Sequence, residues 1–276
     1  MDRPLLEVVN LTKWYPVRRS LLSRRSEACY IKAVDDITFN VKRGEVFGLI
    51  GESGSGKTTI GRVILGLEEP TSGSVFYRGV EITRKLPLQE LRKTRSEFGA
   101  VFQDPYDSLN PRMDIYTIIA EPLAIHRRDL GEEEKLSRVT QILEDVKLSP
   151  ASDFTGKYPH EISGGQRQRV ALARALVLRP GFVVADEPLS MLDVSIRTEM
   201  LNLLADMKEK YRLTYLFISH DLAVSKYFCD RIAVLHKGKI VEEAPAYDLL
   251  DNPQHPYTRA LRAAIPRVGE KTSSSC

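Results

Sequence analysis

Short apolar runs and amphipathic stretches alternate along most of the chain. Val46–Ile50, Phe182–Ala185 and Thr214–Ser219 are runs dominated by apolar side chains and read as buried strands. Between and after them, apolar residues recur with a helical period. Ile60, Val63, Ile64 and Leu67 stand at i, i+3, i+4 and i+7 and predict one helix face. Ile196, Met200, Leu203, Leu204 and Met207 predict another inward face. On the N-terminal side, Leu6–Leu11 is a strand candidate, and Ile37–Val41 alternates apolar and polar residues as a half-buried strand does. Ser74–Tyr77 followed by the turn Arg78-Gly79 predicts a hairpin, and Phe98–Phe102 a further strand. A turn-rich segment, Asp104–Pro111, then opens a block whose pattern is helical, for example at Leu136, Val139, Leu143 and Val146. That block interrupts an otherwise alternating strand–helix order, so it is expected to form an inserted subdomain.

The chemistry-bearing residues cluster at the ends of the predicted buried strands. Gly51-Glu52-Ser53-Gly54-Ser55-Gly56-Lys57-Thr58-Thr59 follows one such strand and opens the first helix, which is the context a phosphate-binding P-loop requires. Backbone N–H groups and the positive helix N-terminus can surround a phosphate chain there. Lys57 would reach the outer phosphates and the Thr58 hydroxyl would ligate Mg²⁺. Asp186-Glu187 ends the strand Phe182–Ala185; Asp186 would hold the metal, directly or through water, and Glu187 could take a proton from attacking water. His220-Asp221 ends the strand Thr214–Ser219, and strand C-termini border the ligand in open α/β sheets. Ser163-Gly164-Gly165-Gln166 leads into the Ala- and Leu-rich stretch 167–178; an N-cap and an anion-binding helix start both fit these residues.

The chain has 276 residues, 42% of them hydrophobic, which suffices for a full core. A net charge of +3 gives no reason to expect nucleic acid as a partner. No run reaches the roughly 18 apolar residues of a membrane span, and Met1-Asp2-Arg3-Pro4 lacks the regions of a signal peptide. Cys29, Cys229 and Cys276 are far apart, form no metal spacing and are expected as thiols. The stretch Val17–Lys32 carries Arg18, Arg19, Arg24 and Arg25, compatible with a solvated loop or with contact to an acidic partner.

In order along the chain, Tyr15, Gly51–Thr59, Gln103, Ser163–Gln166, Asp186-Glu187, Ser190–Asp193 and His220 resemble the motif set of an ABC-transporter ATPase, over nearly the whole length. The resemblance implies an α/β fold: a P-loop NTPase (RecA-like) core, an N-terminal antiparallel β subdomain and an inserted α-helical subdomain at about 104–162. An ATPase domain of residues 1–245 would be followed by an extension, 246–276. ATP and Mg²⁺ are the implied ligands. Tyr15 would stack on adenine, and Gly51, Ser53, Gly54, Ser55, Gly56, Lys57, Thr58 and Thr59 would hold the phosphates. Thr58, Gln103 and Asp186 would serve the metal, with Gln103 and His220 at the γ-phosphate and Glu187 and Lys57 completing the catalytic set. Ser163, Gly164, Gly165, Gln166 and Asp193 would serve nucleotide at a shared interface, so a second ATPase subunit is implied.

The basic stretch after Tyr15, the run Gln103–Pro111, Tyr158-Pro159-His160-Glu161 and Asn252–Leu261 resemble oligopeptide/dipeptide importers, specifically the second of their two paired ATPase subunits. That implies a heterodimer of ATPases, with a homodimer as the other arrangement. It also implies two membrane permease subunits, an extracytoplasmic solute-binding protein and a peripheral seat on the cytoplasmic face of the cell membrane. Importers of sugars, nickel or other solutes are the alternative reading. A nucleic-acid-associated ATPase of this class would separate the P-loop and Ser163 by a long coiled coil or zinc insertion, and neither lies between Lys57 and Ser163. Two departures from the family pattern are Ile162 in place of Leu and Met191 in place of Ala. If the Met191 segment packs across the dimer, its larger side chain would alter turnover at that site.

Overall fold

The computed structural model describes residues 3–17, 30–83, 86–104 and 108–264. Arg18, Arg19, Arg24 and Arg25 of the basic stretch, Pro105-Tyr106-Asp107, Cys29 and the tail 272–276 lie outside the described residues.

The buried apolar runs are the interior strands of one sheet. β3 (Val46–Ile50), β6 (Phe98–Val101), β7 (Phe182–Asp186), β8 (Thr214–Ser219), β9 (Arg231–His236) and β10 (Lys239–Pro245) lie in the order β10-β9-β3-β8-β7-β6. All neighbours pair in parallel except β10, which runs antiparallel to β9. A second sheet, fully antiparallel, has the order β2-β1-β4-β5, formed by β1 (Leu6–Pro16), β2 (Tyr30–Val41), β4 (Ser72–Tyr77) and β5 (Val80–Glu81).

Side chains alternate across a strand, and here the alternation divides the interior into two clusters. Val46, Ile50, Val183, Ala185, Tyr215 and Phe217 face one cluster, shared with the helices inserted between β6 and β7. Phe47, Leu49, Phe182, Val184, Leu216 and Ile218 face the other, shared with Leu6, Val8, Ile37 and Phe39 of the antiparallel sheet. Phe39 and Phe47 stack at 5.0 Å where the two sheets meet. Each such fully buried large side chain contributes about 1.5–3 kcal/mol. Gly48 leaves room for Cys229, whose Sγ is 2.8 Å from where a Cβ would stand.

The helices are α1 (Lys57–Ile64), α2 (Leu88–Ser96), α3 (Ile115–His126), α4 (Glu132–Asp145), α5 (Ser152–Thr155), α6 (Gly164–Leu176), α7 (Val194–Tyr211), α8 (Leu222–Phe228), α9 (Ala246–Asp251) and α10 (Pro256–Ala263). Helices α3, α4 and α5 fall in the stretch expected to interrupt the alternating order. On α7, Met200, Leu203, Leu204 and Met207 are buried as expected, while Ile196 is half-buried.

Several expectations are corrected. Helix α1 stops at Ile64 and Leu67 is 61% exposed, because Gly66 at φ 66° ends the helix path. Leu136 is half exposed, in the first turns of α4, while Val139, Ile142 and Leu143 form that helix's buried face. Strand β6 ends at Val101, one residue before Phe102. Strand β1 continues past Leu11 to Pro16, and Tyr30–Lys32 of the expected loop belong to β2. Register shifts near Asn10 (φ 47°) and Asp36 (φ 57°) break the alternation there.

Candidate functional site

The loop 51–56 leaves the C-terminal end of β3, the strand between β8 and β9, and turns into α1. Its shape depends on glycines at two close approaches. A Cβ on Gly51 would stand 2.2 Å from the Leu235 carbonyl oxygen, and one on Gly56 2.1 Å from that of Ala33. Gly56 also sits at φ 109°, which L side chains rarely adopt. No side chain caps α1. Among the described residues, the N–H groups of Lys57, Thr58 and Thr59 have no acceptor, so the positive end of the helix offers unspent donors.

The Lys57 side chain is buried and folds back on the loop, donating to the carbonyl oxygens of Gly51 (2.8 Å) and Glu52 (2.9 Å). Burial pushes its ammonium below the usual lysine range, opposed by the carboxylates of Glu187, Asp186 and Glu52. An ammonium has three donors, and these bonds leave one for a phosphate oxygen.

One strand away, β7 delivers Asp186 and Glu187. The Thr58 hydroxyl donates to Asp186 Oδ1 at 3.2 Å. Burial raises the Asp186 carboxyl, the Thr58 hydrogen bond and Lys57 lower it, and Glu187 adds to the rise. Glu187 adopts φ 48°, a left-handed conformation that costs about 1 kcal/mol for a non-glycine residue. The turn after it holds that conformation, with Ser190 N–H and hydroxyl both donating to the Glu187 carbonyl (3.2 and 3.0 Å). Glu187 N–H donates to Ile218 O at 2.9 Å, and Glu187 Oε2 lies 3.0 Å from His220 Nδ1 at the end of β8. Asp221, beside it, caps α8 by accepting from Val224 N–H at 3.1 Å.

An open cleft of about 470 Å³ joins Thr58, Asp186 and Gln103, with Arg62, Glu68 and Phe102 in its wall. Arg62 and Glu68 carried no sequence signal as site residues. Glu68 accepts the Tyr15 hydroxyl at 2.9 Å and pairs with Lys13 at 3.3 Å. Burial and that carboxylate together raise the Tyr15 phenol.

The structure does not bring Ser163–Gln166 to this cleft. Ser163 Oγ accepts from Gln166 N–H (3.3 Å), Gln166 Oε1 accepts from Ser163 N–H (2.9 Å), and together they close a capping box on α6. Among the described residues no hydrogen bond joins this segment to the loop 51–59. Asp193 precedes α7 with no side-chain cap bond, and Met191 is 61% exposed.

The oxygens of Thr58 and Asp186 fit a hard cation such as Mg²⁺, which binds through one or two carboxylates plus substrate phosphates. Among the described residues no group of three or more His, Cys, Asp or Glu side chains forms an all-protein cage.

The phosphate loop after β3 and the acid pair after β7 stand at the ends of two strands of one sheet with β8 between them, and the ABC transporter family pattern matches residues 34–190. The chain belongs to the ABC transporter family. It is an ATP-binding, ATP-hydrolysing subunit of that class. The pattern described as the C-terminal region of oligopeptide/dipeptide transporters matches residues 241–275. The oligopeptide transport ATP-binding protein OppF of Bacillus subtilis is 45% identical, over 96% of this chain and 84% of that protein. A Brucella ovis protein provisionally named a peptide import ATP-binding protein is 50% identical, over 96% of this chain and 80% of its own length. These matches bear out the resemblance to oligopeptide/dipeptide importers drawn from the motifs. Among solved structures, a dimeric ATP-binding cassette bound to ADP and phosphate superposes with a TM-score of 0.75 at 31% identity, covering 87% of this chain and 98% of that one. A Clostridium perfringens cassette that is part of an ABC transporter complex also gives 0.75, at 26% identity, covering 90% of this chain and 91% of its own. No described helix is long and apolar enough to cross a membrane.

Proposed function

We propose that the chain powers a peptide importer: it binds ATP as one of two ATPase subunits and hydrolyses it to drive uptake of oligopeptides or dipeptides through partner permeases. It sits peripherally on the cytoplasmic face, and an extracytoplasmic binding protein supplies the solute. The observation that carries the catalytic part is the assembly, at neighbouring strand ends, of the Thr58–Asp186 pair (3.2 Å) and the Glu187–His220 pair (3.0 Å). The peptide part is supported by identity to peptide-transport ATPases over nearly the full chain and by the match at 241–275. We divide the chain functionally into an ATPase unit, 1–245, with its helical insertion at about 104–162, and the extension 246–276. The two are continuous in packing, since Ala246 and Leu249 belong to the main core.

In this reading Gly51, Ser53, Gly54, Ser55, Gly56 and Thr59 shape the loop, its free N–H groups bind phosphate oxygens, and Tyr15 stacks on adenine. Lys57 neutralises charge developing on the outer phosphate. Thr58, Asp186 and Gln103 hold Mg²⁺, which when bound neutralises the phosphate oxygens it touches. Glu187 accepts a proton from water as the water oxygen bonds to phosphorus and the bond to ADP breaks. His220 orients Glu187 and contacts the γ-phosphate. Ser163, Gly164, Gly165, Gln166 and Asp193 act on the nucleotide of the opposing ATPase, which agrees with their separation from this chain's own cleft.

The test is Glu187→Gln in the assembled complex. ATP binding is expected to persist while hydrolysis falls by about 10²–10⁴-fold. A variant that hydrolyses ATP at the normal rate removes Glu187 as the base. Radiolabelled di- and oligopeptides offered to the partner binding protein check the solute class.

A further inference from the structure

Helix α10 reaches the phosphate loop through Tyr257. Tyr257, in the first turn of α10, accepts a hydrogen bond from Glu52 N–H at 3.2 Å, across 205 residues of sequence. The peptide group that carries this N–H has Gly51 O at its other end, and Gly51 O accepts from Lys57 Nζ at 2.8 Å. A peptide unit is planar, so fixing its N–H also orients its carbonyl. The carbonyl of Glu52 itself holds Lys57 Nζ at 2.9 Å and Ser55 N–H at 3.1 Å. Tyr257 therefore meets the loop at the residue that positions its lysine.

The tyrosine is itself held, at its ring and at its backbone. Its ring packs on His236 with centroids 3.9 Å apart. His236 ends β9, and the turn that follows donates Gly238 N–H to Ser55 O of the same loop at 3.0 Å. Tyr257 N–H donates to His255 Nδ1 at 3.2 Å. The segment before the helix is fixed to β10, because the Glu242 carboxylate accepts from Gln254 N–H (2.7 Å) and His255 N–H (2.9 Å). Burial raises the phenol, so its hydroxyl stays protonated at neutral pH.

We propose that Tyr257 is a positioning residue for ATP binding: its hydroxyl fixes the Gly51–Glu52 peptide group and so pre-organises the phosphate loop and Lys57. The proposal rests on the reading of residues 51–59 as the phosphate site. The C-terminal segment thereby sets nucleotide affinity without touching nucleotide. A loop ordered in advance loses less freedom on binding, and an interaction that serves ground state and transition state alike changes KM and leaves kcat unaltered.

Tyr257→Phe tests this, since it removes the hydroxyl and keeps the ring on His236. ATP titrated into the full-length chain with Mg²⁺ is expected to show a Kd raised about threefold to tenfold, the loss of one hydrogen bond. In the assembled complex KM rises by the same factor and kcat is unchanged. Amide exchange at Glu52 speeds up, while the melting temperature without nucleotide falls by no more than about 6 °C, the cost of that one hydrogen bond. An unchanged Kd, or a raised Kd with amide exchange at Glu52 unaltered, overturns the proposal. Lys57→Ala separates the two levels. If wild type and Lys57→Ala bind ATP equally, the phosphate-loop reading fails; if only Tyr257→Phe is silent, the positioning role fails.

Discussion

Helices α1 and α6 both begin with the glycine-bearing segments singled out in the sequence, and the two starts are built in opposite ways. At α1 the loop is locked by main-chain atoms of both sheets, and no side chain spends the helix's first N–H groups. At α6 the start is capped by Ser163 and Gln166, and nothing stands within 4 Å of a Cβ placed on Gly164. An uncapped, rigid helix start suits an anion, because its N–H groups and the helix dipole both favour negative charge. A capped start with open space around it is stable without a ligand and is free to meet another surface. The same residue types thus leave the first N–H groups open in one place and spend them on the chain's own side chains in the other.

The largest effect expected from breaking this contrast comes from exchanging glycine for alanine at both starts. Gly56→Ala drives a Cβ into the Ala33 carbonyl at a positive φ, so thermal unfolding should show a loss of about 3 kcal/mol and ATP binding should vanish. Gly164→Ala meets no atom, and its melting temperature should stay at the wild-type value. A next, smaller effect concerns Lys57. Lys57→Ala removes a charged donor from the α1 site and should weaken ATP binding about tenfold to hundredfold by titration, with the α6 start untouched. The smallest is Ser163→Ala, which opens the capping box and should cost about 1 kcal/mol in denaturant unfolding. ATP affinity of the separate chain should not change, whereas hydrolysis by the assembled complex should fall. If Ser163→Ala weakens ATP binding by the separate chain, the two starts belong to one site and the contrast is wrong.

Much of the centre was legible because it rests on local rules. Val46–Ile50 and Phe182–Asp186 are buried throughout, and a strand buried on both faces must be apolar at every position. The strand–loop–helix order around Lys57 follows from the glycines and the periodicity of α1. Where reading failed, a local irregularity or a distant contact intervened. Periodicity carries Leu67 onto α1, but Gly66 turns the chain away first. Alternation ends at Asn10 because a bulge shifts the register, although β1 continues to Pro16. Glu68 carries no motif signal, and Tyr257 lies in the run Asn252–Leu261 without a role that the run itself assigns; each matters through a partner, Tyr15 and Glu52, that only the folded chain brings near.

Cys229 has a use as a clock. Its thiol is 6% exposed, sits against Gly48 of the strand that carries the phosphate loop, and is raised well above the ordinary thiol range by burial. A thiol in that state reacts with an alkylating reagent only when the sheet opens around it. Its labelling rate therefore counts openings of the strand under the loop, and a bound nucleotide that grips the loop should slow the count.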